Sequence, residues 1–248
     1  PVSKKQLLNA NYITCIVLTL IGTLVISLYA YEAGQAAVGD LFSYSEQLAP
    51  KSITDTALEN DIPLLEYLEE LASNINVEDQ HVIVLDWHNG NRSILSDSYL
   101  TGSVFGLTLQ TPFEMIHRAY LESTAFGTKM IMNQFEDHHI PVHTVYASGG
   151  IPKKSKLLVD IYANVLNKKV VMLESSNATA LGAAMLGANV GGAYSTLKDA
   201  VKHMKQPIHY VKEPESEKVK AYKRLFDKYR QLHDILGREH STLSYIHK

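Results

Sequence analysis

TVYASGGIPKKS, residues Thr144–Ser155, takes a β-branched and aromatic run (Thr144, Val145, Tyr146) into two glycines and leaves as a helical pattern with two lysines at its start. Strand, turn and helix in this order are the repeating unit of α/β domains. The stretch also raises a chemical question. Glycines let a backbone come close to a ligand, a helix start presents unpaired N–H groups and partial positive charge, and lysines neutralise phosphate. An ordinary strand-to-helix joint has the same features, using Gly-Gly for its turn and leaving lysine in water. The G-x-x-x-x-G-K-[ST] and G-x-G-x-x-G spacings are both missing, so this is neither a P-loop nor a dinucleotide fingerprint.

Downstream the pattern continues with a helix from about Lys153 to Leu166, the strand KKVVMLES, and an Ala/Gly-rich helix from about Ala178 in which Gly182, Gly187 and Gly191 permit tight packing. The tail from Pro214 to Leu236 is amphipathic through Val219, Tyr222, Leu225, Phe226, Tyr229 and Leu232, and Gly237 ends it. Upstream, Thr111, Pro112 and Glu114 fit a capping box that opens a helix running to about His138. One face of that helix, Ile116, Ala119, Ser123, Gly127 and Met130, puts small residues where another backbone can approach. HVIVLDW reads as a buried strand and HNGNRSILSDSYLTG as a long loop. Residues 50 to 80 are polar and acidic, with one surface helix around LLEYLEELA. Glu32 to about Leu48 carries Ala33, Ala36, Ala37, Val38, Leu41 and Phe42 at helical spacing, with Pro50 as a stop. The succession predicts an α/β fold with a mixed sheet flanked by helices: an apolar β-hairpin over 1–30, an α/β core over 31–212, and a C-terminal helix and tail over 213–248.

With 248 residues and 46% hydrophobic composition, the chain can bury a sizeable core. A net charge of -3, spread without a basic block, argues against a nucleic-acid or anionic-membrane partner. Cys15 is the only cysteine, so no intrachain disulfide forms and a reducing compartment, the cytoplasm, is expected. Gln6 to Tyr31 contains no charged residue, and YITCIVLTLIGTLVISLYA has the length of a membrane span. Against a span, the run is dense in Ile, Val and Thr and carries a Gly-Thr break mid-way, which favours two buried strands. A signal peptide fits poorly, because no small-residue cleavage site precedes YEAGQAAVGD.

Three other clusters bear on chemistry. In YEAGQAAVGD, Glu32 ends an apolar strand and Gly34 opens the next helix; the carboxylate is either a hydrogen-bond acceptor for a hydroxylated substrate or an acid favoured by the helix dipole. In DWHNGNR, Asp86, His88, Asn89, Asn91 and Arg92 crowd the only tryptophan, as carbohydrate sites do and as self-bonded turns do. His138 and His139 are adjacent and diverge on a helix, a poor geometry for a metal pair. Cys15, within an apolar strand, reads as inert core.

The segments LYAYEAGQAAVGDLF, LDWHNGNRSILSDSYLTG, GLTLQT, RAYLESTAFGTKMIM, ASGGIPKK, DIYANVLNKKV and ALGAAMLGA stand in an order that resembles the C-terminal half of L-ribulokinases, within the FGGY carbohydrate kinases. The resemblance runs from roughly Leu28 to Ile235. It implies a ribonuclease H-like domain of the actin, hexokinase and Hsp70 superfamily, with Mg-ATP held between two such domains. It further implies that Gly149 and Gly150 contact the nucleotide, with Lys154 beside them where many relatives have asparagine. Gly34 then lies near the phosphate-side helix, and Glu32 binds ribulose hydroxyls. The family's Gly/Thr-rich phosphate hairpin is represented by NYITC, with Thr14 the matching residue, on a shorter connection to YEAGQ. The family's catalytic aspartate and first domain lie upstream of these residues, so no catalytic base is assigned here and the fragment alone is expected to be inactive. The implied partners are L-ribulose, ATP and the N-terminal kinase domain, with self-association left open. A non-catalytic nucleotide-binding or interaction module of the same superfamily is the alternative.

Overall fold

The computed structural model describes residues 33–150, 153, 155–174 and 177–239. The hairpin expected over 1–30, with Thr14 and Cys15, lies outside the described residues, as do Glu32 and Lys154. Three helices come first: α1 (Gly39–Gln47), α2 (Lys51–Glu59) and α3 (Leu64–Ser73). The strands β1 (Ile83–Leu85) and β2 (Ser103–Phe105) follow, then α4 (Phe113–Asp137), β3 (Thr144–Ala147), α5 (Lys156–Leu166) and β4 (Lys169–Leu173). The order closes with α6 (Ala178–Val190), α7 (Leu197–Met204), β5 (Ile208–Lys212) and α8 (Ser216–Asp234), which runs into a π-helical turn, Ile235–Glu239.

The sheet is mixed, as expected: β4 is central, parallel to β3 and antiparallel to β5. Central placement suits KVVML, whose Val170, Val171 and Met172 are all buried. Among the described residues β1 does not join this sheet. It forms an antiparallel pair with β2, a strand that the turn-rich composition around it conceals. Helix α4 is the spine of the molecule. Phe126 on it meets Tyr222, Phe226 and Tyr229 of α8 with ring centroids 6.4, 6.0 and 5.3 Å apart, so the amphipathic tail docks through the apolar stripe read from its spacing.

Several local expectations are corrected. α1 begins at Gly39, because residues 34 and 35 make tertiary hydrogen bonds in place of helical ones. The acidic stretch forms two helices, divided where Asp61 takes a left-handed φ of 55° and Pro63 begins a new N-terminus. No capping box forms: Pro112 is the N-cap of α4, and the Thr111 hydroxyl instead accepts the Thr108 N–H at 2.9 Å. In α6 a Cβ on Gly182 or Gly187 would meet nothing within 4 Å, and no residue of the helix is buried. At Gly127 the close approach is made by side chains and not by a backbone, since a Cβ there would collide with the Gln35 amide and the Asp86 carboxylate.

His117 on α4 is fully buried, and its Nδ1 lies 2.9 Å from Ser45 Oγ. The Ser45 hydroxyl proton is occupied on the Phe42 carbonyl, so His117 Nδ1–H is the donor and Nε2 is a bare, buried acceptor without a partner. A proton on Nε2 would have no acceptor, and burial lowers the His117 pKa from 6.5 to about 4. The unfolded chain therefore binds the extra proton between those values, and stability from this residue is present above pH 6.5 and lost as pH falls toward 4. In urea unfolding, the difference between wild type and His117→Gln is expected to shrink by about 3 kcal/mol from pH 7 to pH 4. A pH-independent difference would contradict this assignment.

Candidate functional site

The segments YEAGQAAVGD and DWHNGNRS, about fifty residues apart, are brought together. Gly34 N–H donates to Ser93 Oγ at 3.1 Å, and Gln35 Nε2 donates to Asp86 Oδ2 at 2.9 Å. Gly34 is thus in an irregular run ahead of α1, not at a helix start, and its N–H is already bonded. Beside this junction is a cavity of about 440 Å³ lined by Ala37, Asp40, Leu41, Tyr44, His88 and Asn89. The His88 ring sits between Tyr44 and Tyr120, 5.2 and 5.4 Å away, with Nε2 3.4 Å from the Tyr120 hydroxyl. Carboxylate, imidazole, amide and phenol around one hollow suit a ligand bearing several hydroxyls.

The DWHNGNR cluster divides in two. Asp86 is buried, accepting from Tyr229 Oη at 2.7 Å and from Gln35. Burial raises its pKa, and the two hydrogen bonds oppose the shift. Trp87 is fully buried against His233, 5.3 Å between centroids, so it cannot be a stacking platform for a sugar. Asn91 is a turn residue: its backbone pairs with Asp97, and its side chain accepts the Leu95 N–H at 2.9 Å. Only His88 and Asn89 face the cavity. Asp40 and Tyr44 were missed by sequence reading, although Ala37, Asp40 and Tyr44 have the three- and four-residue spacing of one helical face.

The Gly149–Gly150 turn stands at the carboxyl end of β3, parallel to β4, the end at which open α/β sheets place ligands. Gly149 has φ of 110°, where side chains are strained, and a Cβ at either glycine would meet nothing within 4 Å. Lys153 Nζ spans to the neighbouring strand end, 3.3 Å from the Glu174 carbonyl. The start of α5, however, is capped by the protein itself. Ser155 Oγ accepts the Leu158 N–H at 3.0 Å, and Glu69 Oε1 accepts both the Leu157 N–H at 3.1 Å and the Ser155 hydroxyl at 2.5 Å. Of the N–H groups expected to be offered to phosphate, those of Leu157 and Leu158 at the start of α5 are therefore taken by the protein's own carboxylate and hydroxyl. Room above the glycines remains. Among the described residues no group of three or more His, Cys, Asp or Glu is placed to hold a metal ion, and no helix is long and apolar enough to cross a membrane.

Residues 2–190 match the FGGY family of carbohydrate kinases, C-terminal domain. The chain is 74% identical over 219 residues to ribulokinase 1 of Staphylococcus saprophyticus and, over the same length, to a ribulokinase of Staphylococcus epidermidis; each alignment covers 88% of this chain and 41% of the relative. A Staphylococcus aureus ribulokinase is 55% identical over 216 residues. The chain thus spans about two fifths of the length of these relatives. In fold it is similar to a ligand-bound xylulose kinase from Lactobacillus acidophilus, with a TM-score of 0.67 at 22% identity, covering 82% of this chain and 39% of that one. A xylulose kinase from Rhodospirillum rubrum gives 0.64 at 23% identity, with 82% and 38% covered. The chain belongs to the FGGY family of carbohydrate kinases, whose C-terminal domain it matches.

Proposed function

We propose that this chain is the nucleotide-binding C-terminal half of an ATP-dependent, cytoplasmic L-ribulokinase that forms L-ribulose 5-phosphate from L-ribulose in arabinose catabolism. The observation that carries the reading is the open Gly149–Gly150 turn at the end of parallel strands, in a chain 74% identical to ribulokinases. When bound, Mg-ATP supplies the phosphoryl group. Gly149 and Gly150 take the nucleoside end, where there is space, since the Leu157 and Leu158 N–H groups at the start of α5 are already bonded within the protein. Lys154 and Gly34 are the further nucleotide-side residues of this reading. Glu32 accepts hydrogen bonds from ribulose hydroxyls, and Asp40, on the wall of the cavity it shares with His88 and Asn89, follows it closely in the chain. The base that deprotonates the attacking hydroxyl belongs to the N-terminal kinase domain, the partner needed for turnover.

Three outcomes are expected. Gly150→Val adds bulk where a Cβ meets no atom of the described residues within 4 Å, so it should keep the melting temperature and weaken ATP binding by at least about tenfold in calorimetry; unchanged affinity would return the turn to a purely structural role. In a full-length ribulokinase carrying this sequence, Glu32→Gln should lower kcat/KM for ribulose roughly ten- to hundredfold, the loss of about 1.5–3 kcal/mol for one charge-assisted hydrogen bond, with the ATP KM little changed. A variant kinetically equal to wild type would remove Glu32 from the sugar site. Finally, a polypeptide of these 248 residues with Mg-ATP and L-ribulose should form no ribulose phosphate above background, because in-line transfer needs a positioned base and domain closure. Turnover should appear when the N-terminal half is added. Adenosine binding without turnover in the recombined pair would identify a binding module instead of a kinase.

A further inference from the structure

Among the described residues nothing lies within 4 Å of a Cβ built on Gly149 or Gly150, and the chain is anchored on either side of them. The first anchor is β3, hydrogen-bonded along β4. The second is the start of α5, and there the holding group comes from a helix 86 residues earlier in the chain. Glu69 on α3 accepts the Ser155 hydroxyl proton at 2.5 Å and the Leu157 N–H at 3.1 Å. By taking that proton it leaves the Ser155 lone pairs for the Leu158 N–H, so the carboxylate sets the rotamer of the cap as well as adding a second acceptor. Helix α3 can act as a fixed support. Leu68 and Ala72 are buried, and Arg118 Nη1 donates to the Ala72 and Ile75 carbonyls at its C-terminal end, each at 2.8 Å. The acidic segment between the first helices and β1, which by composition reads as mere solvated surface, thus reaches across to brace the turn.

We propose that Glu69 is a positioning residue for nucleotide binding, holding the C-terminal side of the Gly149–Gly150 turn in the shape that receives the nucleoside. This rests on the nucleotide reading of the turn. The carboxylate touches no ligand itself; it acts through Ser155 and Leu157.

The test uses the whole chain with adenosine as the probe, comparing wild type, Glu69→Ala and Glu69→Gln. Hydrogen exchange at the Leu157 and Leu158 amides and calorimetric affinity are the two readouts. Glu69→Ala should speed exchange at both amides and raise the adenosine Kd, each by about tenfold. Glu69→Gln keeps an acceptor oxygen and should stay within about threefold of wild type in both. Should Glu69→Ala lose its cooperative melt, Ser155→Ala replaces it and is expected to shift both readouts the same way. Unchanged exchange overturns the brace. Faster exchange with unchanged affinity makes Glu69 a structural cap only, while leaving the nucleotide reading in place. If the wild-type chain binds no adenosine, the nucleotide reading falls and the positioning role with it, and exchange then reports only whether Glu69 holds the turn.

Discussion

A carboxylate taken out of water is costly unless its oxygens are met by donors, and Asp86 is such a group. Its two oxygens are satisfied by Tyr229 from the C-terminal helix and by Gln35 from the segment ahead of α1, positions 143 and 51 residues away. Removing either donor would leave part of a buried charge exposed to an apolar interior. The end of β1, α8 and Gln35 are therefore held together as one arrangement, and the cavity beside His88 lies next to it. Gly127 is what lets the three pieces meet, since any side chain there would occupy the place of the Gln35 amide. Gln35 Nε2 also donates to the Thr124 carbonyl at 2.9 Å, and its Oε1 lies 3.2 Å from Thr128 Oγ1. The centre of α4 is thereby built into the same network.

One turn earlier on α4 lies a second buried node. Arg118 meets Glu122 at 2.8 Å and the Tyr222 hydroxyl at 2.9 Å, while its other nitrogen holds the end of α3. Burial raises the Glu122 pKa, and the neighbouring guanidinium opposes that shift. The two nodes divide the work of the helix. The Asp86 node organises the hollow suited to hydroxyls, and the Arg118 node fixes the helix from which Glu69 reaches the glycine turn. Both regions proposed to touch ligand are thus positioned by polar groups that never meet it, an arrangement that keeps a shallow site in shape without a deep pocket.

Much of the organisation was legible from local pattern. The strand ending at Ala147, the glycine turn, the central strand KVVML, the long α4 and the apolar stripe of α8 each follow from periodicities and turn residues within a dozen positions, where backbone geometry alone ties residue type to conformation. The order of motifs likewise pointed to the FGGY kinases before any coordinates. What spacing could not convey were choices between competing hydrogen-bond partners. Thr111 had the right neighbours for a cap but bonds Thr108, the 33–38 run had helical spacing but bonds Ser93 and Asp86, and Asp86, read as either part of a sugar site or of a self-bonded turn, is bonded by Tyr229 and Gln35. The stretch after the glycines had local marks of an anion site, and at the start of α5 the Leu157 N–H is met by a glutamate from another helix. Each of these outcomes depends on a donor or acceptor brought from 50 to 140 residues away in most cases, and such partners become neighbours only after the chain has packed.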